Sequence, residues 1–205
     1  MQFKKSERIL LSTTSVAIIT LLLFIIDQIT GQVSLATTPI SSLSPTTAPS
    51  SFVNYENSSF GLKFQSPSSW SKVELSSPPL IDIKFVSPSN TSDRFPTTID
   101  IAIEKNLGNI TSLDQYARVA DEALNTTFSG FNINTSSPTS LAGLPAIERV
   151  FDYKLTIPEV FLKARQIFVI HNNMAYVITY TSEATKYSNH LPIFEKIVDS
   201  FQITK

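Results

Sequence analysis

The longest apolar stretch of the chain lies near its N-terminus, where residues Ile9–Ile26 include no charged side chain. At about 1.5 Å per residue this stretch makes a helix of roughly 27 Å, just long enough to cross a hydrocarbon core of about 30 Å. The nearby basic residues all precede it, and positive charge favours the cytoplasmic side. The pattern predicts a cytoplasmic N-terminus (1–8), a transmembrane signal-anchor (9–27) and an extracytoplasmic remainder held on the cell membrane.

A cleaved signal peptide is the alternative for the same segment. It would have the same basic start and apolar core, followed soon by a small-x-small cleavage site. Ser34-Leu35-Ala36 provides such a site, but it lies ten residues past Ile26. That distance is long for a signal peptidase, so the uncleaved anchor is favoured, and cleavage would give a secreted protein. Both alternatives export the rest of the chain.

A change of composition separates the apolar segment from the rest of the chain. Residues 28–51 are rich in Ser, Thr and Pro, a composition that buries too little apolar surface to fold. We interpret them as a linker. Residues 52–205 have the usual size of a single domain. The chain has no cysteine, which excludes a disulfide framework and a thiolate site.

Strict alternation of apolar and polar residues marks the clearest strands, Leu80 to Val86 and Thr97 to Glu104. This pattern is typical of antiparallel strands with one face in the core and one face in water. Asn172-Asn173 favours a hairpin turn, because Asn tolerates positive φ. Further strands are predicted at residues 60–64, 146–155, 161–170 and 174–181.

Two segments change to the helical period. Apolar residues recur at helical spacing between Leu113 and Leu124, and Ser112 and Gln115 fit a capping box at the start. A second helix is predicted from near Pro192 to Phe201. Strands, helix, strands and helix together predict an α+β fold with a central antiparallel β-sheet flanked by helices.

The segment Asn57–Trp70, NSSFGLKFQSPSSW, resembles the opening of PsbP-like domains, in which a strand carrying Gly leads into a Pro-Ser-x-Trp turn. The resemblance covers residues 52–205 and implies a PsbP-like α/β/α sandwich. Further matches follow in the same order at residues 112–116 (SLDQY), 141–146 (LAGLPA), 175–180 (AYVITY) and 197–201 (IVDSF).

PsbP is the extrinsic oxygen-evolving-complex protein of photosystem II, where the family docks on a membrane complex and helps to retain calcium and chloride. Relatives with an N-terminal membrane segment and a Ser/Thr/Pro linker look like exported archaeal proteins, which have no photosystem to serve. The resemblance therefore implies a non-catalytic domain that binds an envelope or membrane-complex protein. It does not imply the photosynthetic role.

Carboxylates on the predicted strands are candidate ligands for a divalent cation such as calcium, which binds oxygen. Asp82 lies on the polar face of one strand, and Asp100 and Glu104 lie on that of the next, with Asp93 between the strands. Lys84 shares the face of Asp82 and would repel a cation or pair with a carboxylate. An ordinary solvated sheet face is therefore the favoured interpretation, and a divalent-cation or small-ligand binding domain is the alternative function.

Catalytic chemistry has few candidates in this chain. His171 and His190 are the two histidines, and we interpret them as a hairpin-tip residue and a surface or capping residue. An exported hydrolase would need one of them to meet a Ser and a carboxylate. We expect no enzyme. Trp70, the single tryptophan, is interpreted as a core residue rather than the wall of a ligand groove.

The charge of the chain argues against nucleic-acid binding, because 16 Lys and Arg balance 17 Asp and Glu without a basic run. Four basic residues on the later strands are candidates for a docking patch. Successive side chains of a strand point to opposite faces of the sheet, so Arg149 and Lys154 are expected on opposite faces and the patch is divided between them. The residues of this patch are Arg149, Lys154, Lys163 and Arg165.

Five sequons make N-glycosylation of the exported part a further expectation. All five are expected at turns or at the ends of elements. Their asparagines are Asn57, Asn90, Asn109, Asn125 and Asn134.

Overall fold

The computed structural model describes residues 51–77, 80–88 and 91–204. The predicted membrane segment 9–27 lies outside these residues, as does the linker apart from its last residue. Within the part of the chain that is described, no helix is both long and apolar enough to cross a membrane.

Ten strands and two α-helices are present in the described residues. The strands are β1 (Phe52–Asn57), β2 (Leu62–Pro67), β3 (Ser71–Ser77), β4 (Leu80–Val86), β5 (Thr98–Lys105), β6 (Ser129–Leu141), β7 (Leu144–Thr156), β8 (Glu159–His171), β9 (Met174–Glu183) and β10 (Gln202–Ile203). The helices are α1 (Leu113–Thr127) and α2 (Leu191–Ser200), and a single 3-10 turn, Ala184–Lys186, precedes α2.

The strands form two antiparallel sheets. The large sheet has seven strands in the order β3-β4-β5-β9-β8-β7-β6, and the small sheet has three in the order β1-β2-β10. The expected α+β fold is thereby confirmed as mostly antiparallel sheet with two helices.

Each face of the large sheet has its own apolar core, because successive side chains of a strand point to opposite faces. The first core contains α1 residues such as Tyr116 and Leu124, packed with Ala102 of β5. The second core contains α2 residues such as Phe194 and the small sheet, packed with Ile101 of β5. A helix therefore covers one face, while a helix and a three-stranded sheet share the other.

Local signals explain where α1 begins. The Ser112 hydroxyl accepts a hydrogen bond of 3.2 Å from the backbone N–H of Gln115, which is the predicted N-cap. The Gln115 side chain accepts from the backbone N–H of Thr111 at 3.1 Å. In a capping box this second bond comes from the N-cap residue itself, so here it is displaced by one residue.

Four strands have no counterpart in the sequence prediction. The longest is β6, whose sequence SGFNINTSSPTSL is polar and mostly exposed because β6 is an edge strand of the large sheet. The other three are β1, β3 and β10. The predicted hairpin is confirmed, since Asn172 and Asn173 have φ values of 49° and 58°.

Trp70 belongs to the second core, as predicted. Its ring lies edge-on to the His190 ring, with 5.3 Å between the centroids. This contact joins the turn before β3 to the start of α2.

Candidate functional site

The polar face of β4 and β5 is buried, so the expectation of a solvated sheet face is wrong. Asp82, Lys84, Asp100 and Glu104 have exposed fractions of only 2% to 4%. Apolar side chains that flank these strands in the chain, together with α1, pack over this face in the first core; they include Phe95, Leu107 and Ile110. Four ionisable groups are therefore held in a region of low dielectric constant.

Five polar residues from five neighbouring strands lie side by side on this face, and we call them the polar row. Lys84 of β4 is paired with Asp100 of β5, and Asp100 with Thr179 of β9. Thr179 is paired with Gln166 of β8, and Gln166 with Arg149 of β7. Residues that are directly opposite in antiparallel strands have neighbouring Cβ atoms, so the row crosses the sheet almost from edge to edge.

One end of the polar row is an ion pair. Lys84 Nζ lies 3.2 Å from Asp100 Oδ1. The other carboxylate oxygen of Asp100 accepts a hydrogen bond of 2.9 Å from the Thr98 hydroxyl. Burial raises the pKa of Asp100, whereas Lys84 and the Thr98 hydroxyl act to lower it. Asp100 thus has two groups that stabilise its charge.

The other end of the polar row is Arg149. Its Nε donates to Gln166 Oε1 at 2.9 Å, and Gln166 Nε2 donates to the Thr179 hydroxyl at 2.8 Å. Arg149 Nη1 donates to Asp121 of α1. The row therefore ends in a charged contact between the sheet and the helix that covers it.

Two aromatic rings enclose the Arg149 guanidinium. Its Cζ lies 5.6 Å from the centre of the Phe151 ring and 5.3 Å from that of Phe168. Both distances are within the range of a cation–π contact. These rings replace part of the hydration that the buried guanidinium loses.

Asp82 lies beside the polar row on β4. It is directly opposite Ala102, so Asp100 and Glu104 are its diagonal neighbours on β5. Its Oδ1 is buried without a hydrogen-bond partner in the described part of the chain, as are Oδ1 of Asp100 and Oδ1 of Asp152. The pKa of Asp82 is raised to about 8, chiefly by burial and also by the charge of Asp100, while Lys84 acts to lower it.

Glu104 has one hydrogen-bond donor, the hydroxyl of Tyr116 in α1, at 3.3 Å. The pKa of Glu104 is raised to about 7. Burial raises it, and the hydrogen bond from Tyr116 acts to lower it. The raised pKa favours the protonated form of this side chain.

A second feature lies at the far end of the β7–β8 hairpin. β6 begins opposite Lys154 and β9 ends opposite Leu162, so residues 155–161 extend beyond both neighbouring strands. We call this segment the hairpin tip. Ile157 is 78% exposed and Phe161 64% exposed, the highest values among the large apolar residues described.

The other side of the hairpin tip is anchored in the first core. Leu155 and Val160 are buried there. Lys154, next to the tip, lies 2.7 Å from the Glu159 carboxylate and 5.4 Å from the centre of the Phe161 ring. The apolar side chains that face outward are thus presented on a fixed hairpin.

Comparison with known protein families identifies residues 12–203 as a match to the family described as PsbP-like protein. The chain belongs to the PsbP-like protein family. A search of the curated proteins found no match.

Solved structures show the same architecture. The solution structure of cyanobacterial PsbP (CyanoP) from Synechocystis sp. PCC 6803 has a TM-score of 0.52 at 11% identity, with coverage of 81% of this chain and 99% of that chain. The crystal structure of LpqN from Mycobacterium tuberculosis has a TM-score of 0.51 at 16% identity, with coverage of 70% and 83%. At these identities the likeness concerns the fold alone.

The three predicted metal ligands of the PsbP-like domain lie on one face but are not grouped around a common point. Across residues 51–77, 80–88 and 91–204, no cluster of three or more His, Asp or Glu side chains can hold a metal ion. The register explains this arrangement, because Lys84 is directly opposite Asp100 and Asp82 is opposite Ala102. Calcium binding by Asp82, Asp100 and Glu104 stays a prediction.

The polar row includes residues that sequence reasoning missed. Gln166 and Thr179 occur in strands that were correctly predicted, at positions whose parity matches that of buried neighbours. This shared parity was the one signal in the sequence that could have placed Gln166 and Thr179 on the buried face. Their contacts with Arg149 depend on the pairing register of three strands, which the alternation pattern does not specify.

The basic patch is divided between two faces, as strand parity predicted. Arg149 lies on the α1 face, while Lys154, Lys163 and Arg165 lie on the other. Arg165 binds Glu148 through two nitrogens at 3.0 Å and Glu195 at 3.1 Å. Its charge is therefore compensated within the PsbP-like domain.

The two histidines lie at different places in the PsbP-like domain. His171 is the last residue of β8, at the hairpin as expected. His190 is at the N-cap position of α2, without a side-chain capping bond. Its Nδ1 lies 3.3 Å from the Thr97 hydroxyl, and burial lowers the pKa of His190.

The sequon asparagines follow the expectation in part. Three of the sequon asparagines lie at a turn or near the end of an element, as expected: Asn57, Asn109 and Asn125. For Asn134 the expectation is wrong, because it lies inside the 13-residue strand β6. Its Nδ2, the glycosylation atom, donates to the Asp152 carboxylate at 2.7 Å. Asn90 lies outside the described residues.

Proposed function

We propose that this PsbP-like protein is a membrane-anchored, extracytoplasmic docking module without catalytic activity. In this proposal it binds a protein of the envelope or of a membrane complex through the hairpin tip. The observation that carries the proposal is the exposure of Ile157 and Phe161 on a segment that extends beyond the neighbouring strands.

Energetic considerations favour a binding role for the hairpin tip. Burying one large apolar side chain contributes about 1.5 to 3 kcal/mol, and interface hot spots are enriched in aromatic anchors. The outward residues gain nothing in folding stability from their exposure. Because Leu155 and Val160 fix the inward side, binding would order few additional groups, which lowers its entropic cost.

The location is part of the proposal. A signal-anchor at residues 9–27 and a linker at 28–51 would hold the domain outside the cytoplasm and within reach of membrane proteins. LpqN is described as involved in cell envelope biogenesis, and an envelope setting agrees with our proposal for this chain.

Site-specific photo-crosslinking in native membranes tests the docking surface. A photoreactive residue replaces Glu159, between the two exposed apolar residues, in the full-length chain. We expect one discrete protein adduct, lost when Ile157→Ser and Phe161→Ser are introduced together. Val53→Ser is the matched control, because Val53 is 51% exposed on β1, in the small sheet, and we expect it to leave the adduct unchanged.

Three results would overturn the proposal. The first is the absence of any adduct at residue 159, and the second is an adduct that persists in the double serine variant. The third is an adduct with lipid alone, which would make the hairpin tip a membrane-contacting element.

A further inference from the structure

A primary amine and a carboxyl group face each other on neighbouring strands in the interior of the domain. Lys84 of β4 and Asp100 of β5 are directly opposite, and Lys84 Nζ lies 3.2 Å from Asp100 Oδ1. Their side chains are 4% and 3% exposed. An amine and a carboxyl group are the two reactants of amide formation, and here the fold holds them in contact.

The fixed contact removes the entropic part of the barrier to condensation. Groups held in reacting geometry can behave as if each were present at about 10⁵ to 10⁸ M. Strand pairing fixes the two residues from both sides, since Val73 of β3 is opposite Lys84 and Thr179 of β9 is opposite Asp100. The amine and the carboxyl group therefore meet whenever the sheet is formed.

Exclusion of water favours the amide over the ion pair. Phe95, Leu107 and Ile110 belong to the first core, which together with α1 covers this face. Condensation replaces two buried charges, which are costly in a medium of low dielectric constant, by one neutral amide. It also expels the water molecule that the reverse reaction would need.

The two oxygens of Asp100 have different surroundings, which suit different roles. The Thr98 hydroxyl donates to Oδ2 at 2.9 Å, and such a donor stabilises the negative charge that develops on an oxygen when its carbon is attacked. Oδ1, beside Lys84 Nζ, has no hydrogen-bond partner in the described residues. Oδ2 is therefore suited to become the amide oxygen, and Oδ1 is the oxygen that can leave.

We propose that Lys84 and Asp100 form an intramolecular amide, an isopeptide bond that joins β4 to β5. One proton passes from the Lys84 ammonium to Asp100 Oδ1 within the ion pair. The Nζ lone pair then attacks Cγ of Asp100, a C–N bond forms, and the C–Oδ1 bond breaks. A second proton moves from Nζ to Oδ1, which leaves as water.

Asp82 is placed to carry the second proton. It lies on the same face, two residues before Lys84, and is a diagonal neighbour of Asp100. A carboxyl group can accept a proton from the attacking nitrogen and return one to the leaving oxygen. It ends in the form in which it began, so the step is the same whether Asp82 starts ionised or neutral.

The bond would close residues 84–100 into a covalent ring across two central strands. The chain has no cysteine, so this domain has no disulfide to restrict its unfolded state. A side-chain amide restricts the unfolded state in the same way, and reductants do not cleave it. For an exported domain it would be a permanent tie within the large sheet.

Peptide mapping of the wild-type protein tests the bond without any substitution. The full-length chain is produced in a host without N-glycosylation, kept in detergent and digested with trypsin, which does not cleave after an acylated lysine. We expect one linked species of residues 73–94 and 95–105, lighter than their sum by one water molecule, with fragmentation that places the link at Asp100. Complete cleavage after Lys84, or a link through Asp82, would overturn the proposal.

Two controls separate the bond from an artefact of handling. Lys84→Arg keeps the charge but has no primary amine, so the linked species should be absent. Lys186 and Asp93 provide an internal control, because their charged groups are closer, at 2.6 Å, but Lys186 is 32% exposed. We expect cleavage after Lys186. A linked species in Lys84→Arg, or links at both pairs, would show a reaction unrelated to the buried site and would overturn the proposal.

The role of Asp82 has its own measurement. Pulse labelling of newly made protein follows the appearance of the linked species with time. We expect it to form at least about tenfold more slowly in Asp82→Asn, since general acid–base groups contribute about 10²-fold or more. Equal rates in the variant and the wild type would show that Asp82 is not the relay.

Discussion

Lys84 Nζ lies 3.2 Å from Asp100 Oδ1, and the two side chains are only 4% and 3% exposed. They occupy directly opposite positions on β4 and β5. An ion pair so deeply buried is held in place by the cost of separating it, because either partner alone would be an uncompensated charge. This pair is therefore the most sensitive point of the polar row.

Replacing Lys84 with Met should destabilise the domain strongly. The variant keeps the volume but leaves Asp82 and Asp100 without a cation, and breaking a buried pair costs about 3 to 5 kcal/mol. The loss should be larger at pH 8 than at pH 5, because both carboxyl groups can take up protons in acid. Urea unfolding at the two pH values measures the difference.

Lys72→Met is the control for that experiment. Lys72 lies 2.8 Å from Glu74, but both side chains are more than 40% exposed. Exposed pairs contribute about 0 to 1 kcal/mol, so the free energy of unfolding should change by less than about 1 kcal/mol. A comparable loss in the two lysine variants would show that burial of Lys84 is not what makes its charge important.

Glu104 should make the stability of the domain depend on pH. Its pKa is raised from 4.5 to about 7, so its stabilising effect is complete in acid and is lost as the pH rises through 7. Glu104→Gln should flatten the stability profile between pH 5 and pH 7. Tyr116→Phe removes the donor that lowers this pKa, and should shift the Glu104 transition to higher pH without abolishing it. Unfolding free energies measured at intervals of half a pH unit distinguish the two results.

At Arg149, we expect lysine to be a worse substitute than methionine. Methionine fills the space between Phe151 and Phe168 and leaves Gln166 and Asp121 each without one partner, for which we expect a loss of about 1 to 3 kcal/mol per group. Lysine instead buries a strongly hydrated ammonium that cannot reproduce the guanidinium geometry. Thermal unfolding of the two variants compares them, and a lysine variant more stable than the methionine variant would contradict this account.

Calcium should leave the stability of the wild-type domain unchanged. The space next to Asp100 that a cation would take holds the Lys84 ammonium. A ligand that binds only the folded state at 100 times its Kd would stabilise by about 2.7 kcal/mol, which a melt with and without a chelator would reveal. A saturable calcium shift that disappears in Asp82→Asn would instead support the predicted metal site.

Local signals in the sequence were sufficient for several elements. The N-cap at Ser112 and the apolar spacing of the following residues define α1, because both act within one or two turns of the helix. The Asn172-Asn173 turn follows from the tolerance of Asn for positive φ. These features need no distant contact.

The edge strand β6 shows where such signals fail. Its Gly, Asn and Pro residues have low strand propensity, and most of its side chains are exposed. The strand exists because β7 offers a hydrogen-bonding partner from Leu144 to Lys154, interrupted by two register shifts. Pairing with a neighbour can thus impose a strand on a sequence that alternation does not mark.

The sequence by itself determined which residues of β4 and β5 share a face, since the period of two is a property of the extended backbone. Only the tertiary structure decided whether that face meets water or protein. The same alternation of Ile with Asp, Lys and Glu is compatible with either, and here α1 and its neighbouring segments close over the charged side. The polar row arises because strand order and register, which depend on contacts far apart in sequence, bring Lys84 and Arg149 to opposite ends of one line of side chains.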